Sequence, residues 1–369
     1  MIYLDHNSTT NLLEEAKNAM LLALAKPFNP SAIHGLGREG KKIIEQARKQ
    51  VAGLSGIINH FRDYYITFTS SGTEANNLII SNFNNGEVFV SAIEHASILA
   101  HTKFGNNIQI ISVDENGMVN LEDLKEKLSK STAEKKLVSI IFANNETGVI
   151  QDIKQITKIA HDFGALVHSD CVQAFGKIPV DLVDLDLDFA TISAHKIGGP
   201  VGSGALISKT IHHLVPHIIG GGQEKGLRSG TENVAATAGF GVAAEIANRE
   251  MESRYKHLKG LRDYLEKEIV KIFPKIKVVN QQSERLPNTS LIINLGKKSE
   301  TQIIAFDLKN IAISSGAACS SGKIGSSKTL EAMGFSEEER DSAIRISLGY
   351  TTTKQDIDKF LRIYREINS

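Results

Sequence analysis

From about residue 65 the chain alternates short apolar runs with stretches of helical character. The runs cover 65–69, 87–91, 108–112, 138–142, 166–169, 189–193 and 205–208, and they are rich in Val, Ile and Phe. Short unbroken apolar runs of this kind predict strands buried on both faces. Between them, 74–82, 121–128 and 153–163 predict helices. The alternation predicts an α/β domain on a mostly parallel seven-stranded sheet, with helices on both faces. Ligands of such sheets sit beyond the carboxyl ends of the strands, so the polar residues just after each run are the first candidates for chemistry.

A long helical segment, 234–273, rich in Ala and Glu, carries the chain out of this sheet. Past Pro274 new runs at 276–280, 289–294 and 344–347, with helical stretches at 299–308 and 353–367, predict a smaller α+β domain. A length of 369 residues suits two domains.

Composition narrows the class. Hydrophobic residues make up 41% and charged residues 23%, as in an ordinary globular protein. Lys+Arg and Asp+Glu are both 42, so the net charge is zero. That balance excludes a disordered polyelectrolyte and argues against a protein that grips nucleic acid. No apolar run reaches the 18 residues or so of a membrane span. The chain opens on a structured-looking segment, so no signal peptide is expected and a cytoplasmic enzyme is. The two cysteines, Cys171 and Cys319, rule out a disulfide framework and a Cys-rich metal site, and no metal is expected.

Four stretches carry chemistry. In Thr69-Ser70-Ser71-Gly72-Thr73-Glu74 a strand passes through small polar residues into a helix. The helix start attracts an anion, and Thr73 adds a hydroxyl; the alternative is that Thr73 is simply the cap. In Ser169-Asp170-Cys171-Val172-Gln173 an Asp follows a buried strand and needs a partner, such as a protonated ring nitrogen, unless it caps the next turn. In Ser193-Ala194-His195-Lys196 a lysine follows a strand, where it can capture an aldehyde covalently or be an ordinary surface lysine. In Ser315-Gly316-Ala317-Ala318-Cys319-Ser320-Ser321-Gly322 a cysteine lies among small, flexible residues, which suits a nucleophile better than a core filler. Cys171, beside a strand, reads as a packing residue. His95 follows a strand and could lie over a planar ligand or make a local helix-start hydrogen bond. Arg345, alternating with apolar residues, could fork onto a carboxylate or stand exposed on its strand.

In combination and order these fragments closely resemble the NifS/IscS-like cysteine desulfurases of the class V aminotransferase group, pyridoxal-phosphate enzymes. The resemblance covers nearly the whole chain. It begins at Tyr3-Leu4-Asp5-His6-Asn7 and takes in Ser71-Gly72-Thr73-Glu74, Glu94-His95, Asn144-Asn145-Glu146-Thr147-Gly148 and Asp170-Cys171-Val172-Gln173. It continues through Ser193-Ala194-His195-Lys196, Arg228-Ser229-Gly230-Thr231, the Cys319 stretch and Arg345-Ile346-Ser347. The Ser-Ser-Gly-Ala-Ala-Cys stretch is similar to that of the first of the two desulfurase groups.

The resemblance implies a large transferase-type cofactor domain over 14–257, and a small domain from 1–13 and 258–369 that carries the Cys319 loop. It implies that Lys196 holds the cofactor aldehyde, Asp170 pairs with the pyridine nitrogen, Gln173 bonds the ring hydroxyl and His95 stacks on the ring. Asn145 would touch cofactor and substrate. Gly72, Thr73, Ser193 and His195 would hold the phosphate, and Thr231 would reach the phosphate of a neighbouring subunit, making a homodimer. Arg345 would clamp the substrate carboxylate. L-Cysteine would become L-alanine, its sulfur passing to a persulfide on Cys319, with His95 a candidate base. The sulfur would go on to an iron–sulfur scaffold or a tRNA-thiolation enzyme. Selenocysteine lyase and cysteine sulfinate desulfinase share the lysine and the aspartate, but a simple lyase has no need of the Cys319 loop. An inactive scaffold paralogue would need none of Lys196, Asp170, His95 and Cys319.

Overall fold

The computed structural model describes residues 1–103, 107–209, 214–316 and 327–368. The chain starts with β1 (Ile2–Tyr3), α1 (Glu14–Leu24) and α2 (Gly35–Leu54). Strands and helices then alternate: β2 (Tyr65–Thr69), α3 (Gly72–Ser81), β3 (Glu87–Ser91), the short α4 (Ala96–Leu99), β4 (Ile108–Ile111) and α5 (Leu121–Lys130). β5 (Lys136–Ser139), α6 (Ile153–Asp162), β6 (Leu166–Asp170), β7 (Phe189–Ser193) and β8 (Gly204–Ser208) follow. The long α7 (Val234–Ile272) leads to β9 (Lys277–Val278), β10 (Thr289–Ile293), α8 (Ser299–Leu308), β11 (Ile311–Ala312) and β12 (Ser314–Ser315). The chain closes with α9 (Lys328–Ala332), α10 (Glu337–Asp341), β13 (Ala343–Ser347) and α11 (Lys354–Asn368).

The seven predicted strands form one sheet in the order β2-β8-β7-β6-β5-β3-β4. β8 runs antiparallel to both of its neighbours, and every other pair is parallel. The carboxyl ends of β2, β3, β6 and β7 therefore share one edge. The run at 138–142 is displaced: β5 ends at Ser139, and Ile140, Ile141 and Phe142 stay buried beyond the strand. Their apolar character reflects burial rather than strand pairing.

The sequence pattern predicted no helix before residue 65, yet α1 and α2 pack against α7. The buried face of α2 sets Ile44, Val51 and Leu54 among the small residues Gly37, Gly40, Ala47 and Ala52. A Cβ on Gly241 of α7 would lie 2.6 Å from Ala47 Cα, a closeness only glycine allows.

Two apolar clusters share α7. Phe240, Ala243, Ala244 and Ala247 belong to the cluster under the large sheet. Leu258, Leu261, Leu265 and Ile269 belong to a second one with Leu4, Phe306, Phe360 and Tyr364. The second cluster underlies a four-stranded antiparallel sheet, β12-β13-β10-β9, and the parallel pair β1-β11. The N-terminal strand thus joins the C-terminal part of the chain, which brings the following residues, Asp5 to Thr10, to the edge of the large sheet. No described helix is long and apolar enough to cross a membrane.

Candidate active site

A cavity of about 200 Å³ opens at the shared carboxyl edge of the sheet. Nine of the twelve residues singled out from the sequence line it: Gly72, Thr73, His95, Asn145, Asp170, Gln173, Ser193, His195 and Lys196. Cys319 lies outside the described residues. Thr231 is exposed and not part of the lining. Arg345 also stands outside it, buried on β13, where Nη2 donates to Asp5 Oδ1 at 2.6 Å and Nη1 to Asn145 O at 3.0 Å. It is therefore neither an exposed strand arginine nor an uncommitted one.

Each strand delivers its residue for a local reason. β6 ends at Asp170, level with Thr191 of β7, and β7 passes at once into the turn Ala194–Lys196. β2 turns into α3 through Ser71, whose side chain accepts from Glu74 N at 3.1 Å. Ser71 is thus the cap, and Thr73 is not. The other early N–H groups of a helix have no intrahelical acceptor, and they point at this end of the cavity. His95 caps α4, its Nδ1 accepting from Ser97 N at 3.1 Å, and it lines the cavity as well. The helix-start hydrogen bond is thus made, and it leaves the residue at the cavity.

Asp170 is 4% exposed. Its Oδ2 accepts from Asn76 Nδ2 at 2.8 Å and its Oδ1 from Val172 N at 3.0 Å. No cation pairs with it among the described residues. Two neutral donors leave a buried carboxylate far from compensated, so it calls for a positive partner from the cavity. Lys196 Nζ donates to Asn7 O at 2.6 Å and also to Ser8 O. Gln173 Nε2 donates to the same Asn7 O at 2.9 Å. Burial, with Lys196 and Lys177 nearby, pulls His195 down to about 4, so its imidazole is neutral at pH 7. Its Nδ1 lies 3.2 Å from Thr9 Oγ1.

Asn7, Asn76, Ser97 and Lys177 belong to this network and were not singled out from the sequence. Asn7 lies in the N-terminal motif and Asn76 two residues past the Ser71-Gly72-Thr73-Glu74 motif, but nothing in their spacing marks them. Burial raises the thiol of Cys171 well above its ordinary range, which agrees with a packing role.

The residues present fit pyridoxal phosphate. A helix start offers donors for a phosphate, an uncompensated carboxylate suits a protonated ring nitrogen, and a lysine amine stands at the same cavity. Asn76 Oδ1, buried beside Asp170, has no hydrogen-bond partner among the described residues. A Cβ on Gly72 would lie 3.0 Å from Val172 Cγ2, so glycine keeps this wall of the cavity open.

The comparisons agree with this chemistry. Residues 2–360 match the family model described as Aminotransferase class-V. The cysteine desulfurase IscS of Dictyoglomus turgidum is 37% identical over 377 residues, covering 99% of this chain and 94% of that protein. The crystal structure of a NifS-like protein from Rickettsia africae has a TM-score of 0.93 and 48% identity, covering 100% of this chain and 99% of that one. SspA, solved in complex with cysteine, has a TM-score of 0.79 and 27% identity over 96% of this chain and all of that one. With its sheet, its cavity and these relatives, the chain belongs to the class-V aminotransferase family and, within it, to the pyridoxal-phosphate-dependent cysteine desulfurases.

Proposed function

We propose that the cavity at the carboxyl edge of the sheet is where this desulfurase takes sulfur from L-cysteine. The observation that carries the reading is the convergence of Lys196 with the uncompensated Asp170 carboxylate at the ends of adjacent strands. Pyridoxal phosphate, when bound, supplies an aldehyde that captures amines and a ring that withdraws electrons from the substrate Cα.

The protein's own groups do the rest. Lys196 would hold the cofactor through its amine and move the Cα proton of the substrate; its tether to Asn7 O keeps the amine at the cavity. Asp170 holds the proton on the ring nitrogen. The start of α3, with Gly72 and Thr73, binds the phosphate together with Ser193 and His195. Neutral His195 adds a donor there without a charge. Gln173 donates to the ring hydroxyl, and His95 covers the ring and serves as base for a thiol. Asn145 and Arg345 receive the substrate carboxylate, Arg345 giving up part of its contact with Asp5. The Cys319 thiolate attacks the substrate sulfur, the C–S bond breaks, and alanine leaves while the persulfide stays on Cys319.

The two apolar clusters on α7 support a large domain over 14–257 and a small one from 1–13 and 258–369. Thr231, exposed and outside its own cavity, suits a contact with the phosphate of a second copy, and the exposed Val201, Val215, Ile218 and Ile219 offer apolar surface for a homodimer. The persulfide then passes to a second protein in the cytoplasm, an iron–sulfur scaffold or a tRNA-thiolation enzyme, as the resemblance implies.

Borohydride reduction of the holoenzyme followed by peptide mapping tests the reading. The pyridoxyl label is expected on Lys196. A label on any other lysine, Lys177 included, would sink it.

A further inference from the structure

Lys177 is 7% exposed, and no carboxylate pairs with it among the described residues. A buried amine without a counter-ion is costly, and such groups cluster at functional sites. Its Nζ donates to Gln173 Oε1 at 2.5 Å and to Asn7 Oδ1 at 2.9 Å. Burial first, and then the nearby Lys196 and Arg345 cations, hold this amine well below the ordinary lysine range.

Both acceptors are oxygens by necessity. Asn7 Nδ2 spends its hydrogens on Asn145 O at 3.1 Å and Thr289 Oγ1 at 2.8 Å. Gln173 Nε2 faces Asn7 O, a carbonyl that can only accept. The two amides therefore turn their oxygens toward Lys177, which donates to both. The Asn7 backbone oxygen in turn receives Lys196 Nζ at 2.6 Å. A small cavity of about 30 Å³ behind the network is lined by both lysines.

We propose that Lys177 is a positioning residue of the cofactor site: it occupies the oxygen of the Gln173 amide, so that the NH2 end is the one left to donate to the cofactor. This rests on the reading in which Gln173 bonds the ring hydroxyl. An amide turned over would set its oxygen against that ring oxygen, replacing a hydrogen bond with repulsion.

The test compares wild type, Lys177→Met, Gln173→Leu and the double variant. Each apo-protein is titrated with pyridoxal phosphate, the visible absorption band of the bound form is recorded, and apo circular dichroism and melting confirm the fold. Each single variant should bind the cofactor about tenfold more weakly, the size of one hydrogen bond, and move the band in the same direction. The double variant should match Gln173→Leu alone, because both changes remove one donor interaction. Lys177→Gln, which keeps a donor and remains polar should Met prove disruptive, should recover part of the affinity. Wild-type affinity and spectrum in Lys177→Met, or losses that add in the double variant, would overturn the assignment. A wild-type protein that takes up no pyridoxal phosphate would instead overturn the cofactor reading on which it stands.

Discussion

Asn76 Nδ2 lies 2.8 Å from Asp170 Oδ2 and 2.9 Å from Ser97 Oγ. One amide nitrogen on α3 thus joins the aspartate at the end of β6 to α4, the helix that His95 caps. The same helix presents its N-terminus to the phosphate end of the cavity. The position of Asp170 is therefore set by α3 as much as by its own strand, and its charge is left for the ligand, because both of its donors are neutral.

Asp170→Asn should fold and lose activity. Its amide would place an N–H against either Asn76 Nδ2 or Val172 N, and it cannot balance a protonated ring nitrogen. Without a protonated ring nitrogen the electron sink is weaker, and a barrier higher by about 3 kcal/mol lowers alanine formation about 100-fold in kcat. Near-normal turnover would make Asp170 a structural cap.

Gly204→Ala should weaken cofactor binding without touching a ligand group. A Cβ there would lie 2.5 Å from Ser71 C and 2.8 Å from Gly72 N, both backbone atoms. Gly204 pairs with Thr69 on one side and Ser193 on the other, so the strand cannot give way and the α3 entry must. Overpacking of this kind costs about 1–3 kcal/mol. Titration of the apo-protein should show the loss, while Gly35→Ala, with open space around its Cβ, should bind as wild type does. Equal affinity in the two variants would show that the α3 entry does not need its present position.

Cys319→Ser should separate cofactor chemistry from sulfur transfer. The visible spectrum should still respond to cysteine, since Lys196 and Asp170 remain. Sulfur transfer should stop, because a serine hydroxyl is a poor nucleophile toward sulfur beside a thiolate. In the wild type, mass spectrometry after cysteine treatment should find one added sulfur atom on the Cys319 peptide and none on buried Cys171. Full alanine production by the variant would favour a lyase without a protein persulfide.

Glu94 makes stability depend on pH. Burial, opposed by hydrogen bonds from Ser91 and Ile141, pushes its carboxyl up to about 8, and Oε2 has no hydrogen-bond partner among the described residues. The folded protein thus binds this proton more tightly than the unfolded chain does. The contribution is complete below the unfolded value, near 4.3, and is lost as pH rises through about 8. At pH 9 the burial of the charge costs on the order of 3–5 kcal/mol. Glu94→Gln should melt near wild type at pH 4 and above it at pH 9. Parallel melting curves across that range would show that Glu94 ionises freely in the fold.

The pattern of the sequence already determined the sheet and the local motifs. β2, β3 and β7 have the limits of their runs, because a strand covered on both faces is mostly apolar along its length. Most of the cavity residues were legible for a related reason: they follow strands directly, so position along the chain is position at the sheet edge. The tertiary structure alone decided what those residues meet. Asn7 lies 166 residues from Gln173 and 189 from Lys196, and Asn76 lies 94 from Asp170. Arg345 reaches Asp5 across 340 residues. Lys177 follows a turn with no periodicity to mark it, and its burial depends on Asn7 arriving with the N-terminal strand that pairs with β11. Hydrogen-bond partners between segments are chosen by packing, and α1 was hidden likewise, since a helix whose buried residues are Ala16 and Ala23 is recognised only once α7 lies against it.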